Sequence, residues 1–88
     1  MKIDELDVVA LTTPLPNAEM YDGSDGLQVG DEGTVVGVWR DAAGYIVEFF
    51  RDDETVAIEN VTPDQVRLVW KNTPTVQHTA IRAENAQR

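Results

Sequence analysis

The chain has 88 residues, a formal net charge of −9 and no cysteine. A chain of this length forms one small domain, and its composition, 42% apolar and 26% charged, is typical of a globular protein. The absence of cysteine excludes disulfide bonds, thiolate catalysis and cysteine metal sites. Because no apolar run approaches the roughly 18 residues of a membrane span and the first residues lack the apolar core of a secretory signal, we expect a cytoplasmic protein.

Acidic residues are concentrated in the first part of the chain. Residues 1–70 contain fifteen acidic and four basic side chains, whereas residues 71–88 carry a net charge of +2. Because proteins bind nucleic-acid backbones through Lys and Arg, the acidic part is a poor match for nucleic acid or for an anionic membrane. A basic protein partner fits the sign of the charge better.

Five segments with the alternation and the residue types of β-strands follow one another along the chain. They are residues 6–11, 33–39, 45–50, 55–59 and 66–70. In the fourth segment the period of two predicts that Val56 and Ile58 both point inward.

Turn-forming residues separate these strands. Residues 12–31 are rich in Pro, Gly, Asn and Asp and are predicted to form one long loop. Between the second and third strands, residues 41–44 predict a hairpin turn in which Gly44 takes a positive φ. Thr62 and Pro63 predict a single helical turn with Thr62 as its cap.

Together these elements predict an all-β fold, a small five-stranded SH3-like barrel with a long first loop and a mobile C-terminal tail. The barrel is expected to take in residues 1–70. Residues 71–88 are interpreted as a tail that is flexible or docks on a partner, because they show no clear periodicity and their helix-forming part is too short to be stable alone.

Aromatic side chains on the predicted strands are the candidate binding residues. A barrel of this size cannot bury both faces of every strand, and an apolar patch left outside often marks an interface. The candidates for such a patch are Trp39, Tyr45, Phe50 and Trp70. Binding to another protein, self-association as a homodimer, and cover by the long loop or the tail are all compatible with it.

Residues for catalysis or metal binding are scarce. Ser24 is the only serine and His78 the only histidine, so neither a catalytic triad nor a zinc site is expected. Asp22 and Asp25 lie around a tight turn, but the spacing of an EF-hand calcium loop is missing and an Asx turn is the better interpretation. We therefore expect no enzymatic activity, no cofactor and no metal.

Six short segments, spread over residues 4–69, carry a family resemblance. In chain order they are residues 6–11, 15–16, 26–36, 47–49, 55–57 and 62–66, and the most specific stretch is Gly30-x-x-Gly33-Thr34-Val35-Val36. Together they resemble a family of small bacterial proteins known as a domain of unknown function, DUF4926. The resemblance implies an SH3-like barrel of uncertain role and supplies no catalytic residues. The chain departs from the family pattern in residues 20–25 and in its tail.

The same glycine-bearing stretch is similar to one in ribosomal and transcription-elongation barrels that contact RNA. Glycines let a chain turn sharply into a strand in any small barrel, whatever that barrel binds. Because the acidic charge opposes contact with a phosphate backbone, RNA binding is not expected.

These observations predict a non-catalytic, acidic protein-interaction module. Two alternatives stay open on sequence grounds. One is an antitoxin or immunity-type protein that neutralises a basic partner. The other is an accessory barrel in an enzyme complex, where the chemistry belongs to the partner.

Overall fold

A five-stranded antiparallel sheet forms the body of the protein. The computed structural model describes residues 2–73. The strands are β1 (Val8–Leu11), β2 (Glu32–Val38), β3 (Tyr45–Arg51), β4 (Glu54–Val61) and β5 (Val66–Trp70), and they lie in the order β4-β3-β2-β1-β5. The predicted all-β class and the five strands are confirmed.

The first four strands form a meander, and the fifth strand returns to the first. β2, β3 and β4 follow one another, and β5 comes back to pair with β1. The register shifts next to Val8, Val35 and Phe49, and such bulges bend and twist the strands. Since the described residues show no hydrogen-bonded pairing between the edge strands β4 and β5, an SH3-like barrel remains an interpretation of this strand order.

One hydrophobic core lies on the inner side of the sheet. Its strand residues are Val9, Leu11, Val35, Tyr45, Val47, Phe49, Val56, Ala57, Val61 and Val66. Ile3 from the N-terminal segment and Leu27 from the long loop are also part of it. β2 and β3 approach closely at Gly33, where a Cβ atom would lie 2.7 Å from the carbonyl oxygen of Glu48.

The burial pattern of β4 differs from the predicted alternation. Its pairing with β3 shifts between Phe49 and Phe50, which leaves Val56 as an extra residue in β4. This bulge reverses the alternation beyond it. Val56 and Ala57 are both buried, whereas Ile58 is 44% exposed. The prediction that Ile58 points inward is therefore wrong.

The turn between β2 and β3 also differs from the prediction. Asp41 (φ +61°) and Ala42 (φ +54°) have the positive φ angles, and Gly44 does not. A 3-10 turn spans Arg40–Ala42. Gly44 is needed for close approach instead, because a Cβ atom there would lie 2.7 Å from the carbonyl oxygen of Val61 in β4.

The predicted long loop between β1 and β2 lies against the sheet. Within it, Leu15 and Leu27 form an isolated bridge. The backbone N–H of Tyr21 donates to the carbonyl oxygen of Val56 at 2.8 Å. This contact covers part of the edge of β4. Unpaired strand edges are prone to pair with other chains, and the loop reduces that exposure.

The predicted helical turn before β5 is present as a 3-10 turn over Pro63–Gln65. The side-chain oxygen of Gln65 accepts a hydrogen bond from the backbone N–H of Thr62 at 2.9 Å, at the start of this turn. Among the described residues, no helix has the length and apolar character needed to cross a membrane.

The chain keeps contact with the sheet beyond β5. Lys71 and Asn72 both donate hydrogen bonds to Asp7, just before β1. Residues 71 and 72, which were predicted to be part of the tail, therefore contact the sheet region. The rest of the predicted tail, residues 74–88, lies outside the described part of the chain.

Candidate functional site

A row of paired residues crosses the outer side of all five strands. In sheet order from β5 to β4, the row consists of Trp70, Val8, Thr34, Glu48 and Ile58. Directly paired residues place their side chains on the same face of a sheet. The two ends of the row are the most exposed, Trp70 at 55% and Ile58 at 44%.

The part of this side that lies on β2, β3 and β4 combines apolar and acidic residues. We define the outer face as Thr34, Ile46, Glu48, Phe50, Thr55 and Ile58. On β3 the alternation buries Val47 and leaves Ile46, Glu48 and Phe50 half-buried. The apolar side chains are thus separated by a carboxylate at the centre of the strand.

A shallow depression of about 330 Å³ lies on the outer face. Thr34, Glu48, Phe50 and Thr55 line it, together with Asp53 from the β3–β4 turn. The Thr55 hydroxyl donates a hydrogen bond to the Glu48 carboxylate, which fixes the position of that charge. Within the part of the chain that the structure describes, no Lys or Arg lines this depression, so its electrostatic potential favours a cationic partner.

The four predicted binding residues do not form one patch. Tyr45 is only 5% exposed and belongs to the core, so the prediction that it takes part in an exposed binding patch is wrong. Phe50 lies on the outer face. Trp39 is 51% exposed and follows β2, where its indole N–H donates to the side-chain oxygen of Asn60 in β4 at 2.9 Å. Trp70 lies on β5, at the opposite edge of the sheet.

A buried carboxylate just before β1 was not predicted from the sequence. The Asp7 side chain is fully buried. It accepts hydrogen bonds from the backbone N–H groups of Asp4 and Asn72 and from the Lys71 ammonium, each at 2.8 Å. Burial raises the pKa of Asp7, but these hydrogen bonds outweigh it and hold the pKa below its usual value. The same contact raises the pKa of Lys71.

The role of Arg51 was also not predicted from the sequence. The Arg51 guanidinium forms a bidentate ion pair with Asp31, at 2.6 and 3.1 Å. It also donates to the Ser24 hydroxyl at 3.1 Å and to the carbonyl oxygen of Gly26 at 3.2 Å. All three partners lie in the long loop, so Arg51 fastens that loop to the end of β3.

The predicted Asx turn is confirmed. The Asp22 carboxylate accepts hydrogen bonds from the backbone N–H of Ser24 at 3.0 Å and from its hydroxyl at 2.7 Å. These bonds lower the pKa of Asp22. Ser24 is thus engaged in holding the loop, and His78 lies outside the described residues.

The fold and the outer face together define a small, acidic, all-β domain. The chain belongs to the family described as Domain of unknown function (DUF4926), whose model matches residues 5–68. This match confirms the resemblance seen in the sequence. No curated protein and no solved structure matches the chain.

Proposed function

We propose that this protein is a non-catalytic interaction module that binds a basic protein through its outer face. The observation that carries the proposal is the composition of that face. Ile46, Phe50 and Ile58 offer apolar area to a partner, and the Glu48 carboxylate lies between them. Buried apolar contact supplies affinity, whereas charge complementarity guides the approach and selects the partner.

The overall charge supports a protein partner over a nucleic acid. Residues 1–70 carry fifteen acidic side chains and only four basic ones. One of those four, Arg51, is engaged in an ion pair with Asp31. A polyphosphate backbone needs several free cations on the protein surface.

Comparative capture tests the proposal. The full-length protein and a Phe50→Ser/Ile58→Ser variant are used as baits in a lysate of the source organism, and bound proteins are identified by mass spectrometry. We expect a basic protein that binds the wild type at low salt, binds less at high salt because ionic contacts are screened, and is lost with the variant. Val69→Ser is the matched control, because Val69 is 41% exposed on β5, away from the outer face.

Two results would contradict the proposal. One is that the variant, shown by circular dichroism to be folded, captures the same proteins as the wild type. The other is that the only molecule bound through this face is a second copy of the chain, detected by sedimentation as a dimer that the double substitution abolishes. Two copies would bring identical carboxylates together, which is why we expect a monomer.

A further inference from the structure

An open groove separates the N-terminal segment from the turn between β2 and β3. Its volume is about 600 Å³, and its walls include Ile3, Glu5, Trp39, Asp41 and Ala42. Of these residues, Ile3 reaches into the core, whereas Trp39 is 51% exposed. One side of the groove is therefore part of the core, and Trp39 forms an accessible aromatic wall.

The indole ring of Trp39 is held in place. Its N–H donates to the side-chain oxygen of Asn60 at 2.9 Å. A ring that is fixed but half-exposed offers its face to a ligand without the entropic cost of ordering it. The electron-rich face of an indole attracts cations, and the planar guanidinium of arginine also stacks on it.

Two carboxylates in this groove are available for a cation. Among residues 2–73, neither Glu5 nor Asp41 takes part in an ion pair. Asp4, which also lines the groove, is different because Lys71 already binds it at 2.9 Å. Of the described residues in the lining, only Lys2 is basic, and it lies 3.9 Å from Asp4 and is 81% exposed.

Trp39 connects the groove to the outer face through Asn60. Asn60, which holds Trp39, pairs directly with Ile46. A polypeptide lying on the outer face can therefore extend a side chain towards Trp39. The positions of the two sites favour one partner that occupies both.

We propose that this groove receives an arginine side chain of the basic protein partner, with the guanidinium stacked on Trp39 and paired with Asp41 and Glu5. The inference rests on the proposed function and specifies what that partner must present. Arginine fits better than lysine, because its planar group stacks and donates in two directions at once, whereas an ammonium is a strongly hydrated point charge.

Tryptophan fluorescence tests the groove in the full-length protein. Trp70→Phe leaves Trp39 as the only tryptophan. The probes are three capped glycine-rich peptides that carry three arginines, three lysines or three glutamines. We expect a saturable change in Trp39 emission with the arginine peptide, binding that is about threefold weaker with the lysine peptide, and no binding of the glutamine peptide.

Charge variants locate the binding. Asp41→Asn and Glu5→Gln are each expected to weaken binding of the arginine peptide about two- to fivefold at low salt, the range for an exposed ion pair. Lys2→Ala removes a competing cation and is expected to strengthen it. The control is Asp25→Asn, because Asp25 is an exposed acid of the long loop and the substitution changes the net charge equally. Its effect is expected to be the smallest of the set.

The inference is overturned if the glutamine peptide produces the same response, or if Asp41→Asn and Glu5→Gln affect binding no more than Asp25→Asn does. If the lysate partner still depends on Phe50 and Ile58 in that case, the groove inference fails and the proposed function stands. If the arginine peptide binds as expected but the outer-face variant captures the same proteins as the wild type, the proposed function fails and the groove remains a cation site.

Discussion

The Lys71 ammonium lies 2.8 Å from Oδ2 of Asp7, 64 positions earlier in the chain. Asp7 is fully buried, whereas Lys71 keeps 39% of its side-chain surface exposed. The ion pair therefore joins the two ends of the sheet region, with its negative partner inside the protein and its positive partner at the surface.

Asp7→Ala should destabilise the protein. The substitution removes the acceptor of three hydrogen bonds and leaves the backbone N–H groups of Asp4 and Asn72 unpaired. We expect a loss of about 3 kcal/mol in the free energy of unfolding, measured by urea denaturation. Asp4→Ala is the matched control: it also contacts Lys71 but is 50% exposed, so its cost should stay below about 1 kcal/mol. Equal losses for the two variants would contradict this account.

Arg51→Lys should loosen the long loop. Lysine keeps the charge but cannot reproduce the fork that reaches Asp31, Ser24 and Gly26 together. We expect a loss of about 1–2 kcal/mol in unfolding free energy, and faster hydrogen exchange at Leu27, whose N–H is bonded within the loop. Arg67→Lys, an exposed position on β5, should leave both measurements near wild type. Unchanged exchange at Leu27 would show that the loop is held in another way.

The contribution of Asp31 should depend on acid pH. The hydrogen bond from Arg51 holds the pKa of Asp31 below its usual value of 3.8. A carboxyl group with a lowered folded-state pKa adds stability above its unfolded-state pKa, and that stability is lost as pH falls through the folded-state pKa. The difference in unfolding free energy between wild type and Asp31→Asn should therefore be constant near neutral pH and shrink below about pH 4. A difference that stays constant down to about pH 2 would refute this.

Gly33→Ala and Gly37→Ala should differ sharply although both lie on β2. A Cβ atom at Gly33 would lie 2.7 Å from the backbone oxygen of Glu48, which cannot move away. At Gly37 the nearest atom is the end of the Ile46 side chain at 3.1 Å, which can adjust. We expect a cost of about 3 kcal/mol for Gly33→Ala and less than about 1 kcal/mol for Gly37→Ala, measured by thermal denaturation. Similar melting temperatures for the two would contradict the packing argument.

Local patterns in the sequence were sufficient for much of the fold. The period-two alternation and the residue types of β-strands located all five strands, and β5 begins and ends where it was expected. The errors arose from pairing between strands. The bulge at Val56 depends on how β4 aligns with β3, and no single-strand pattern reveals that it turns Ile58 outward.

The candidate site was predictable only in part. The exposure of Trp39 and Trp70 was expected from the sequence. The sequence did not indicate which face of β3 points into the core, and Tyr45 proved to be buried. The groove beside Trp39 depends on a contact with Asn60 that is 21 positions away. One signal for Arg51 was available: it is the only basic residue between Arg40 and Arg67, in a stretch with several acids.

The contact between Asp7 and Lys71 has a consequence for engineering. Because Lys71 also donates to the backbone oxygen of Lys2 at 3.0 Å, the chain enters and leaves the folded sheet region at neighbouring positions. A unit with this geometry can be spliced into a surface loop of a host protein with short spacers, and neither end has to cross the host. The same closeness makes the sequence a suitable scaffold for circular permutation, with new termini opened at the β3–β4 turn.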